Sequence, residues 1–254
     1  MASLDIRNIR TTDQLISKGA TAKVYLARNT QTGQKYALKV IIKESLGSRM
    51  LAHVRQEARL VMTFNHPHIV KTYYTDETVN KIKILMELFS GDLLSFTKEY
   101  GKLIERDAYI IFRQIASAID YLHNEKHIVH RDIKLSNILF NNDDDMTVVL
   151  ADFGFAAERD PNGPLFTTVL GTRGYIAPEI LAKTGYQGYP ADIYALGVCL
   201  YIMVSGRNPD SQGFINDNFS PELVDLLRKM VKTDEKNRID IKEIINHPWM
   251  KMFD

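Results

Sequence analysis

Cysteine is almost absent from this 254-residue chain. Cys199 stands alone, so no internal disulfide can form, and a reducing compartment is the natural home: the cytoplasm, with the nucleus also open to it. Excess charge is missing as well. Lys and Arg number 32 against 31 Asp and Glu, and the resulting +1 gives no long-range field for holding a nucleic-acid backbone or an anionic bilayer. Long apolar runs are missing too. The opening MASLDIRNIR holds no apolar core of signal-peptide length, and the longest apolar stretch, Ile193 to Val204, is shorter than the ~20 residues that cross a bilayer. That stretch reads as a buried helix. Nucleic-acid binding and membrane insertion are therefore not expected. With 14 glycines and 8 prolines, no Gly-, Ser- or Pro-rich linker or internal repeat divides the chain.

What is present is a hydrophobic share of 45%, enough for a substantial core, in a length that suits one large domain or two lobes folding together. From about Gln14 to Met86 the apolar pattern has period two, through Val24 and Leu26, then Tyr36, Leu38 and Val40, then Ile82, Ile84 and Met86. Gly33 supplies a hairpin turn between the first two runs. Leu51, Val54, Ala58, Val61 and Met62 recur at helical spacing and interrupt the strands with one helix. After Asp92 the period becomes helical, with one stripe from Ala108 to Leu122 and another from Leu223 to Val231 behind Ser220 and Pro221. Asp240 and Glu243 form a capping-box pattern. The reading is an α+β chain spanning residues 12–253, a sheet-rich N-lobe with hinge over 12–91 and a helical C-lobe over 92–253, the two sharing one cleft.

The segment HRDIKLSN, His130 to Asn137, places a carboxylate, an ammonium and an amide in one short loop. Asp152, Phe153 and Gly154 follow the strand-like run TVVLA, while Lys39 lies on an upstream strand and Glu57 on the interrupting helix. Phosphoryl transfer needs a carboxylate to orient and deprotonate a hydroxyl, ligands for Mg²⁺, a cation on the phosphates and an anion holding that cation. These pieces occur in the required order.

With HRDIKLSN, ADFG, APE at Ala177 to Glu179 and DIYALG at Asp192 to Gly197 in this order, the chain resembles the eukaryotic protein kinase family over essentially its whole length. The resemblance is to the Ser/Thr type and most to the calcium/calmodulin-dependent and AMP-activated group. It implies the two-lobe kinase fold, ATP and Mg²⁺ as cofactors, and a protein substrate with a Ser or Thr acceptor. By matching positions, Asp132 resembles the catalytic base with Lys134 beside it, Asn137 and Asp152 the Mg²⁺ ligands, and Lys39 the phosphate cation paired with Glu57. Glu179 and Arg238 resemble the family's buried ion pair. The phosphate-covering loop with the residue before it, Ile16, Ser17, Lys18, Gly19, Ala20, Thr21, Ala22, Lys23 and Val24, keeps only the middle of the family's three glycines. Met86, Glu87 and Phe89 resemble the gatekeeper and hinge, Val24, Ala37 and Leu139 the adenine sandwich, and Asp92 the ribose contact. Thr168 matches the family's activating phosphosite, the target of an upstream activating kinase, with Arg131 and His53 as partners for its phosphate. Thr172 resembles the threonine that bonds the catalytic aspartate.

Other readings are weighed on the same residues. The altered glycine loop motivates an alternative, a nucleotide-binding pseudokinase acting as a scaffold. A small-molecule phosphotransferase is disfavoured by the peptide-docking run GTRGYIAPE. His130 reads as a packed support for its loop, and Cys199 as an inert buried thiol. His66 and His68 flank Pro67 with no cysteine or carboxylate set, so they read as turn residues. Asp143, Asp144 and Asp145 read as a hairpin turn, and Gly206 to Ser220 as irregular chain without a full helix. Ser136 and Ile202 stand where basophilic relatives carry Glu, which predicts a weak preference for basic substrates.

Overall fold

The alternating apolar residues of the first third of the chain assemble one antiparallel sheet. A computed structural model describes residues 4–141, 146–160, 163–209 and 218–253. They fall into two compact units, Met1–Phe89 and Ser90–Asp254. The first unit holds β1 (Ile9–Lys18), β2 (Ala22–Asn29), β3 (Lys35–Ile42), α1 (Ser48–Leu60), β4 (Thr72–Glu77) and β5 (Lys81–Met86), with the strands in the order β1-β2-β3-β5-β4. The turn between β2 and β3 has Gly33 at φ 74°, and the Asn29 side chain accepts from the N–H groups of Gln31 and Thr32 at 2.9 and 3.1 Å. β1 starts at Ile9, before the alternation becomes legible at Gln14, because its polar run Arg10 to Gln14 lies on a sheet edge where little is buried.

Register decides which side chains share a face. Val24 stands opposite Lys39, Ala37 opposite Met86, and Ile41 opposite Ile82, so these residues line one side of the sheet. Helix α1 packs against β5 and buries Val54, Glu57 and Leu60. The opposite side carries Ala27, Tyr36, Leu38 and Leu85, with Tyr73 and Tyr74 packed on them.

The second unit contains β6 (Gly91–Asp92), α2 (Leu93–Tyr100), α3 (Glu105–Asp120), β7 (Ile128–Val129), β8 (Ile138–Phe140), β9 (Val148–Leu150), β10 (Ala157–Glu158), α4 (Pro178–Ala182), α5 (Gly188–Ser205), α6 (Pro221–Met230) and α7 (Ile241–Ile245). Its strands form the sheets β6-β8-β9 and β10-β7. Helix α3 buries the expected stripe of Ala108, Ile111, Phe112, Ile115 and Ile119, then widens into a π-helical turn over Tyr121–Glu125. The apolar run Ile193 to Val204 lies within α5, whose 18 residues match a membrane span by length and composition, yet 78% of them are buried inside the unit. An apolar circumference of this kind marks a central helix. Ser220 caps α6 by accepting from Leu223 N at 3.2 Å, and Asp240 and Glu243 make the reciprocal capping box of α7. Glu105, at the start of α3, accepts from Ser220 N at 2.7 Å, Ser220 Oγ at 2.6 Å and Trp249 Nε1 at 3.0 Å. The turn expected at 143–145 and most of the segment from Gly206 to Ser220 expected to be irregular lie outside the described residues.

Candidate active site

Lys39 sits at the middle of β3, where the strand period aims it to the side that α1 covers, and Glu57 meets it from α1 with Lys39 Nζ 2.6 Å from Glu57 Oε1. The two side chains are 14% and 5% exposed, so the pair is largely desolvated and its charges need one another. Val24 and Ala37 share the Lys39 face, and Met86 pairs with Ala37. Beyond Met86 the Glu87 N–H donates to the Lys71 carbonyl at 2.9 Å. Neither the Glu87 carbonyl nor the Phe89 N–H makes a backbone hydrogen bond among the described residues, which leaves both for a ligand's edge.

The loop over residues 16–24 is the hairpin between β1 and β2. Ser17 pairs with Val24 and Lys18 with Lys23, and the Gly19 N–H donates to the Ala22 carbonyl at 2.9 Å around Ala20 and Thr21. Gly19 is not among the glycines of positive φ, and a Cβ there would approach only the Ala22 oxygen, at 3.7 Å. None of Ser17, Gly19 and Ala22 has positive φ, so the hairpin closes without a glycine-only conformation at these three positions. His53 lies half-buried on α1, one helical turn before Glu57.

In the second unit, β7 delivers the chain into His130, Arg131 and Asp132. The Asp132 carboxylate is held from three sides. Thr172 Oγ1 donates to Oδ1 at 2.8 Å, Lys134 Nζ lies 2.7 Å from Oδ2, and Asn137 Nδ2 lies 3.3 Å from Oδ2 and 2.9 Å from the Asp132 carbonyl. Lys134 Nζ also donates to Thr172 Oγ1 at 2.9 Å, which closes a ring of three side chains, Asp132, Thr172 and Lys134, with Asn137 bonded to it from outside. The amide nitrogen of Asn137 is thus spent, and its oxygen is the group left for a cation. Asp152 is brought near by the Ala151 N–H, which donates to the Asn137 carbonyl at 2.8 Å. It is exposed, in left-handed backbone at φ 61°. Leu139 on β8 pairs with Asp92 on β6, so two of the expected nucleotide residues are neighbours. Asp92 also caps α2, its two oxygens accepting from Ser95 N at 3.0 Å and Ser95 Oγ at 2.8 Å.

Asp192, at the start of α5, was visible in the sequence only as part of DIYALG. It is 1% exposed and organises the whole loop. Its Oδ1 accepts from Arg131 N at 2.8 Å; its Oδ2 accepts from His130 N at 2.8 Å and lies 3.0 Å from His123 Nε2. His130 itself is fully buried, with Nε2 3.2 Å from the Ala151 carbonyl and its ring against Phe153. Arg238 grips Glu179 with two nitrogens, at 2.5 and 2.9 Å. Burial pushes the Cys199 thiol well above its ordinary range, so it stays protonated inside α5. Thr168 is half-buried, and its carbonyl accepts from the Tyr186 hydroxyl at 3.2 Å. Arg131 is already engaged, its Nε donating to the Phe155 carbonyl at 2.6 Å.

A five-stranded sheet carrying a Lys–Glu pair, followed by a helical unit whose loops hold Asp132, Asn137 and Asp152, defines the protein kinase class. Residues 10–250 match the family described as protein kinase domain, and the chain belongs to that family. It is 36% identical to CBL-interacting serine/threonine-protein kinase 13 of Arabidopsis thaliana over 94% of this chain and 50% of that protein. It is 35% identical to the SNF-related serine/threonine-protein kinase of Homo sapiens over 95% and 33%, and 36% identical to serine/threonine-protein kinase SIK1 of Rattus norvegicus over 94% and 32%. The chain spans half or less of the length of these curated relatives.

Proposed function

We propose that the chain is an ATP-dependent serine/threonine protein kinase. The observation that carries this reading is the convergence of Thr172, Lys134 and Asn137 on Asp132, which fixes one carboxylate rotamer and keeps it paired with a cation. A Ser or Thr hydroxyl of a protein substrate gives its proton to Asp132 as its oxygen bonds to the γ-phosphorus and the bond to the ADP oxygen breaks. Lys134 and Lys39 offset charge on the phosphate oxygens, and Glu57 keeps Lys39 in place. By the family resemblance the hairpin 16–24, Val24, Ala37, Met86 and the backbone of Glu87 and Phe89 in the first unit serve the nucleotide, as do Leu139 and Asp92 in the second, where Asp92 has lone pairs for ribose hydroxyls. Asn137 and Asp152 offer the hard oxygen donors that Mg²⁺ prefers; bound there, the ion neutralises charge developing on the phosphoryl group. The intact Lys39–Glu57 pair and the closed hairpin favour catalysis over the scaffold reading. An upstream kinase acting on Thr168, with His53 and Arg131 as partners for its phosphate, and a cytoplasmic location complete the proposal.

The test is transfer of labelled phosphate from ATP to a mixed pool of Ser and Thr peptides. Asp132→Asn should lower kcat by about 10²–10⁴, the share that general-base and positioning help supplies. Wild-type turnover in that variant at saturating ATP and Mg²⁺ refutes the mechanism.

A further inference from the structure

The Arg131 guanidinium is the point where the loop of Asp132 meets the segment 163–176. Its backbone is fixed: φ is 65°, and the N–H is bound to Asp192. The side chain leaving that fixed point has two neutral partners. Nε donates to the Phe155 carbonyl, and the guanidinium carbon stands 4.8 Å from the centroid of the Phe166 ring. Phe166 and Tyr186 are themselves joined. They form an antiparallel bridge with backbone hydrogen bonds of 3.1 and 2.9 Å, their rings are 5.8 Å apart, and the Tyr186 hydroxyl reaches on to the Thr168 carbonyl. The floor is tight. A Cβ added at Gly188 would stand 2.5 and 2.6 Å from the Val129 methyls and 2.9 Å from the Phe166 ring.

We propose that Phe166 and Tyr186 are positioning residues, an aromatic lock on Arg131 that holds the 163–176 segment in its substrate-ready arrangement without phosphate on Thr168. The proposal deepens the kinase reading and rests on it. A loop phosphate acts by giving an arginine a partner and so ordering the segment. Here a π face and a carbonyl already perform that task, and the same segment carries Thr172 to Asp132 four residues beyond Thr168. Phosphate therefore adds to an arrangement that is already held. A desolvated cation–π contact is worth about ten- to thirtyfold in the equilibrium between held and released segment.

The full chain, treated with phosphatase until mass spectrometry finds no phosphate on 163–176, is compared with Phe166→Leu and Phe166→Tyr. The stripped wild type should keep at least about a third of its kcat, because one to three charge-assisted bonds are being replaced rather than created. Phe166→Leu should lose about ten- to thirtyfold in kcat with a raised peptide KM and an unaltered ATP KM, and Phe166→Tyr should restore both. Hydrogen exchange reads the lock apart from catalysis: amides of 163–176 should exchange faster in Phe166→Leu while those of α3 do not. If Phe166→Leu does not fold, Tyr186→Phe, which removes only the hydroxyl, should show the same pattern more weakly. A loss above about a hundredfold on stripping, or unchanged kcat and exchange in Phe166→Leu, overturns the lock. A wild type that transfers no phosphate in either state overturns the kinase reading instead, and exchange still decides the lock.

Discussion

Replacing Asp192 by asparagine changes one oxygen into an NH₂ group in a site that is 1% exposed. Three donors converge there: the N–H groups of His130 and Arg131, both at 2.8 Å, and His123 at 3.0 Å. Asparagine can satisfy the donors on one oxygen only, so at least one buried N–H faces another donor. Each hydrogen bond to a charged acceptor contributes about 1.5–3 kcal/mol, and each buried donor left unsatisfied costs about 1–3 kcal/mol. One lost charged bond and one orphaned donor together predict a destabilisation of about 3–5 kcal/mol. Left-handed backbone at Arg131, a residue with a Cβ, itself costs on the order of 1–3 kcal/mol and persists because Asp192 holds it. Relaxation of that peptide moves Asp132, so kcat should fall as well, by a decade or more. Denaturant midpoints at constant slope, read beside steady-state kinetics, measure both effects. Stability within about 0.5 kcal/mol of wild type with unchanged kcat refutes the reasoning, since that is the ordinary effect of a neutral surface change.

Glu57→Gln leaves Lys39 largely buried without its charge partner, and kcat/KM should fall about ten- to a hundredfold, with less loss in Glu57→Asp; kinetics across ATP concentration check it. Arg238→Ala strips the bidentate partner from Glu179 and should destabilise the second unit by about 3–5 kcal/mol, visible as a lowered denaturation midpoint. Glu77 is held by Arg55 and by Lys43, both 2.7 Å from Oε1, and these cations push its carboxyl down to about 2. Because the folded value is the lower one, its contribution is complete above the unfolded value of about 4.3 and drains as pH falls towards the folded one. Glu77→Gln should therefore flatten stability against pH in that acid window, which acid titration of both proteins decides. The effect is small, since the group is solvated.

Part of the site was legible because its residues sit in contiguous runs: HRDIKLSN puts Asp132, Lys134 and Asn137 within one loop, and the strand period alone sets Lys39 on the face of Ala37, while Val24 joins that face only through the register. Helices α3 and α6 were legible from their stripes and caps. Contacts between distant positions were not. His123 meets Asp192 from 69 residues away, and Glu105 ties Ser220 to Trp249 across more than a hundred, and no local pattern encodes either pairing. The start of β1 was hidden because an exposed edge strand has no buried face to alternate. Asp92 carried a readable signal, an aspartate three residues before Ser95, but the ribose role took precedence over helix capping.

Of the described non-glycine residues with positive φ, His127, Arg131, Met146, Asp152 and Lys183, two lie where the chemistry is expected. Arg131 and Asp152 both occupy left-handed backbone although both carry a Cβ, and one precedes the base while the other is a candidate cation ligand. Neither conformation is stable alone, so each must be imposed by better-satisfied neighbours. Arg131 is imposed by Asp192 from beneath and by the aromatic contact with Phe166 from the side. Asp152 follows Ala151, whose N–H is bound to the Asn137 carbonyl and whose carbonyl faces His130. His130 is in turn fixed by Asp192 through its N–H. One buried carboxylate thus sets the conformation of both strained residues, directly for Arg131 and through His130 for Asp152. Since α5 carries that carboxylate in its second turn and is the most buried helix of the unit, the site inherits the rigidity of the core.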